Sequence, residues 1–137
     1  MGPVSHKTEG WETRLQAALK QDIERPFEWS VYDCATWAFS VRAALTGLDA
    51  TPAWKGKYTS LAGGLRLMKR LGWADYQAMG TALLGAALDD VRLAQRGDIA
   101  LGPDGGFGVV VGRCVFGLAP DGITASVLAD CRMAWRV

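Results

Sequence analysis

The strongest constraint on this chain is a change of rhythm near its middle. Up to about residue 90 the apolar residues recur at helical spacing, and from Gly97 onward they fall into short β-prone runs. Trp11, Leu15, Ala18, Leu19 and Ile23 keep to one helical face, which predicts a helix from Glu9 to about Ile23, before Pro26. A second helix is predicted after Asp33, a favoured N-cap, with Cys34, Trp37, Ala38, Val41 and Leu45 on one face and Gly47 as its stop. A third begins near Ser60, with Leu61, Leu65, Met68 and Leu71 inward and Gly72 closing it. Between residues 73 and 90 the pattern suggests short helices at Trp73–Met79 and Ala82–Leu88.

Five strands are predicted beyond that point: Ile99–Leu101, Phe107–Val111, Cys114–Leu118, Ile123–Leu128 and Cys131–Val137. The separators are turn chemistry, including Gly102-Pro103-Asp104-Gly105 and Ala119-Pro120-Asp121-Gly122, so neighbouring strands should pair as hairpins in a meander. Helices first and strands second give an α+β fold, N-terminal helices followed by an antiparallel sheet of about five strands. Residues 1–137 read as a single domain, with 1–8 as a flexible polar tail carrying the only histidine, His6.

Composition narrows the function classes. Fifteen basic against fourteen acidic residues leave a net charge of +1, which gives no general reason to bind nucleic acid or an anionic membrane. Apolar runs are broken well before membrane-spanning length, and Met1–Glu9 lacks the apolar core of a signal peptide. Synthesis in the cytoplasm is expected, the chain staying there or leaving as part of something larger. Cys34, Cys114 and Cys131 are an odd number without metal-type spacing, so free thiols and no metal site are expected. The Gly102–Gly106 run lacks the strand-to-helix setting of a phosphate loop, and no cofactor or small-molecule ligand is indicated.

Asp33-Cys34 is the one pairing that could carry chemistry. A thiol in a helix's first turn faces unpaired N–H groups and the positive end of the dipole, which favours thiolate. The alternative is a small buried apolar residue beneath Trp37.

The stretch Phe27 to Cys34, with Asp-Cys opening a helix, resembles the nucleophile helix of NlpC-type, papain-like cell-wall peptidases. Arg96-Gly97-Asp98-Ile99 is similar to the turn that feeds their first strand, and Gly106-Phe107-Gly108-Val109-Val110-Val111-Gly112 to their next one. The resemblance implies a papain-like fold with Cys34 at the nucleophile position. It also puts the catalytic histidine at Gly106, or at Phe107 if the register slips by one. The third polar residue would fall near Val115, Phe116 or Gly117, none of which can orient a base.

The chain also resembles small proteins encoded among phage tail-tip genes. Thr46-Gly47-Leu48-Asp49, Gly56-Lys57-Tyr58, the Arg-Gly-Asp turn and Ala134-Trp135-Arg136 carry that likeness. It implies a structural, catalytically silent component of a phage or prophage-derived tail tip or baseplate, made in the host cytoplasm, assembled into the virion tail and docked on the tail hub. The competing expectation is an active cysteine peptidase or amidase that cuts peptidoglycan during entry with Cys34 as nucleophile. Trp29, Trp54 and Trp73 fall at element ends or in loops, where large amphipathic rings serve either as core lids or as contact surface.

Overall fold

A computed structural model describes residues 4–21 and 25–137. Four helices come first: α1 (Trp11–Gln21), α2 (Cys34–Thr46), α3 (Leu61–Arg70) and α4 (Tyr76–Leu84). The sheet follows, with β1 (Ile99–Leu101), β2 (Phe107–Val111), β3 (Cys114–Ala119), β4 (Gly122–Val127) and β5 (Met133–Trp135). All pairings are antiparallel. The expected extension of the first helix to Ile23 lies outside the described residues.

Local chemistry explains the helix boundaries. Asp33 caps α2 by accepting from the Thr36 N–H, and Gly47 closes it at φ 79°, donating its N–H to Ala43. Ser60 and Asp75 cap α3 and α4 in the same way, through the N–H groups of Gly63 and Ala78. The Asp75 cap corrects the expectation for 73–90: one helix runs from Tyr76 to Leu84, because the cap sets its start and Gly85, at φ 88°, ends it.

The sheet order is β4-β3-β2-β1-β5. The meander therefore holds for four strands and fails for the fifth. Leu128–Asp130 forms a 3-10 turn that carries the chain away from β4, and β5 pairs with β1 at the far edge, Ala134 opposite Ala100. One sheet face, with Ile99, Leu101, Phe107, Val109 and Trp135, packs against α2 in the main core. The other, with Ala100, Val110, Val115 and Ala134, closes on Leu128, Cys131 and residues of the 88–94 segment. This is the period-two alternation of a sheet covered on both sides.

Two expectations are corrected by packing. On α3 only Met68 is buried; Leu61, Leu65 and Leu71 are 49%, 37% and 38% exposed. Their spacing defines a stripe that the described residues cover only in part. The N-terminal arm is also no free tail over its described part. Ser5 donates to the Val137 carbonyl at 2.6 Å, Thr8 donates its N–H to Leu45, and Lys7 reaches fully buried Asp98 at 2.6 Å. Asp98 also accepts from Arg136 Nε (3.0 Å) and from the Val137 and Gln95 N–H groups, so each of its carboxylate oxygens takes one cation and one backbone N–H.

Candidate functional site

Asp33 builds the site. It is buried, and besides the Thr36 N–H its carboxylate accepts the Ser30 N–H at 2.9 Å and the Tyr58 hydroxyl. Loop 28–32 and loop 56–58 are thereby tied to the start of α2. Trp54 adds a bond from its indole Nε1 to Thr36 Oγ1 at 3.1 Å. Cys34 is held in the first helical turn and turned toward the start of β2.

Gly106, the position that the resemblance gives to the missing histidine, lies beside Cys34. A Cβ added to Gly106 would stand 3.9 Å from Cys34 Sγ and 3.6 Å from Asp104 Oδ1. Gly106 thus faces the sulfur and presents no side chain to it. Phe107 contributes only its backbone N–H, while its ring turns into the core. Val115 and Gly117 line the small recess beside Cys34 together with Asp104, Thr124 and Ser126; Phe116 packs against the main core instead.

The electrostatics oppose a thiolate. Burial pushes the Cys34 thiol up from near 9 to about 11, and the charges of Asp33 and Asp104 act in the same direction. Backbone N–H groups of Phe107 and Ala35 offset only part of this. The expected lowering by the helix N-terminus is thus outweighed, because the sulfur is desolvated and no cation among the described residues acts on it. Tyr76 hydrogen-bonds Cys34, and its own ionisation is pushed up by burial and by the neighbouring thiol and Asp33. His6 is exposed on the arm anchored at Asp98, which adjoins the end of β1 remote from Leu101 and its partner Phe107.

A family model described as a domain of unknown function (DUF6950) matches residues 6–137. The chain belongs to that family. No curated protein and no solved structure matches it. Within this DUF6950 chain the three tryptophans named from sequence separate. Trp54 is only 3% exposed and packs edge-on against Phe39, so its placement as an interface residue is corrected: it is core. Trp29 and Trp73 are half-buried on the wall of an apolar recess beside α3.

Tyr58, Tyr76 and Asp104 are the site residues that the sequence reading missed in role. Asp104 was legible only as turn chemistry, and Tyr58 only as part of a Gly-x-Tyr motif. Nothing in the spacing ties Tyr76 to Cys34, forty-two residues apart by their numbers. All three cysteines are free. No helix of the described residues is long and apolar enough to cross a membrane.

Proposed function

We propose that this chain is a catalytically silent, NlpC-like domain acting as a structural component of a phage or prophage-derived tail tip or baseplate, docked on the tail hub. The observation that carries the silent part is Gly106 facing the Cys34 sulfur, with the thiol pushed up to about 11. Amide cleavage by a thiol needs a base to remove its proton and an acid to protonate the leaving amine. Tyr76 holds its proton more tightly than an ordinary tyrosine, and the charge of Asp104 raises the thiol further. The tail-tip part rests on the likeness of residues Pro26 to Val137 to small tail-tip proteins.

Two experiments test the reading. Purified chain incubated with peptidoglycan should release no muropeptides, and Cys34→Ala should leave particle assembly and infectivity unchanged. Muropeptide release that disappears in Cys34→Ala would decide for the peptidase instead. A chain that never sediments with assembled particles would end the tail-tip part.

Gly106→His probes the geometry directly. The backbone there is not left-handed and the added Cβ meets only ordinary contacts, so the variant should fold. An imidazole beside the sulfur should raise alkylation of Cys34 by iodoacetamide at pH 7 by about tenfold or more. Unchanged reactivity in a folded variant would show that Gly106 does not hold the position of a base.

A further inference from the structure

The segment from Thr51 to Ala74 is charged in one direction only. It carries Lys55, Lys57, Arg66, Lys69 and Arg70 and no acidic residue, in a chain whose net charge is +1. All five cations are exposed, and none forms an ion pair with a described residue. The flanking anions are already engaged. Asp49 accepts from the Thr51 N–H and hydroxyl, with Lys55 acting on it only through space, and Asp75 caps α4.

The same segment forms one side of a small apolar recess of about 30 Å³, walled by Trp29, Trp54, Tyr58, Leu61, Leu71 and Trp73. Leu61 and Leu71 stand half-exposed at its edge, and the aromatic rings form its sides. A recess this small takes in water rather than a whole side chain, so an occupant's apolar group rests across Leu61, Leu71 and the accessible parts of Trp29 and Trp73. Apolar recess and uncompensated positive charge together fix the chemistry of an occupant: an aromatic or aliphatic anchor flanked by carboxylates.

We propose that this surface docks an acidic segment of a partner protein, which lays an apolar side chain across Leu61 and Trp29 while its carboxylates meet the Lys55–Arg70 cations. The inference deepens the scaffold reading and rests on it in one respect, that the chain acts by binding a protein.

The test is a peptide-display selection against the full chain, followed by titration of the enriched synthetic peptides. Enriched sequences should carry Leu, Phe or Trp among Asp and Glu. Their binding should weaken about tenfold between low and half-molar salt, because exposed charge pairs are screened. It should also weaken at least about tenfold in Lys55→Glu/Lys57→Glu and, separately, in Leu61→Glu, three exposed positions whose substitution leaves the core intact. Enrichment without acidic bias, or binding that both variants retain, overturns the proposal. So does binding to phosphatidylserine vesicles that the same variants lose, since that assigns the surface to a membrane. A wild-type chain that joins particles yet selects no acidic peptide overturns this surface alone and leaves the scaffold reading standing.

Discussion

α3 and α4 are neighbours of almost equal length, ten and nine residues, and they are attached to the molecule in opposite ways. α4 lies against β5 so closely that a Cβ on Gly80 would come within 2.5 Å of the Trp135 ring. Trp135 is fully buried among Phe107 and the rest of the main core. α3 touches the same core through Met68, with Leu67 partly buried beside it, and has a hollow on each flank. Backbone-to-ring packing leaves α4 no freedom, whereas α3 keeps apolar surface in reserve. The difference separates the part of the domain that holds its shape from the part that can receive something.

Breaking the tight side should have the largest effect. Trp135→Ala should cost about 3–5 kcal/mol, measured by urea unfolding, because it empties the centre of the core. The loss is moderated by its indole N–H, which is buried without a hydrogen-bond partner among the described residues. Asp98→Ala should cost about 3–5 kcal/mol by the same measurement, since it strands the Lys7 ammonium, 5% exposed, and the Arg136 guanidinium. Gly80→Ala decides between two opposing effects. Helix propensity favours alanine by about 1 kcal/mol, but overpacking against Trp135 costs about 1–3 kcal/mol, so the net should be destabilising. A more stable Gly80→Ala would mean that α4 is not pinned as described.

A pH titration sharpens the same contrast. Cys34 ionises near 9 when unfolded and at about 11 in the fold, so between those values the unfolded chain binds fewer protons. Stability should therefore be unaffected below about pH 9 and fall as pH rises toward about 11. Tyr58 and Tyr76, both pushed up, add to the fall at the alkaline end. Cys34→Ala should make the decline shallower in thermal melts recorded across this range. The smallest effect is expected on the loose side: Leu65→Ser on α3 should shift stability by no more than about 0.5 kcal/mol.

What could be read from the sequence was whatever chemistry is local. Asp33 and Gly47 bound α2 through bonds to residues three or four away, so the caps and the helix between them were legible. The strands were legible for the same reason, because turn residues lie between them. Partners distant in the chain were not. The pairing of β5 with β1 and the Lys7–Asp98 bridge join residues tens of positions apart, and no spacing rule announces them. The α3 leucines failed differently: periodicity identifies an apolar stripe but not what lies opposite it. At the candidate site the sequence located Cys34 and the glycine facing it. It could not weigh desolvation against the helix dipole, which decides the state of the thiol.

The place of β5 has a consequence for how the domain comes into being. During synthesis the four helices and the β1–β4 hairpins leave the ribosome first, yet the residue at the centre of their common core is Trp135. Until it arrives, α4 has no ring to lie on and β1 has an unpaired edge. The domain therefore cannot complete folding progressively from its N-terminal side as it is made. Its main core closes only when β5 pairs with β1. In that interval the exposed β1 edge is the point at which two nascent copies would pair by mistake.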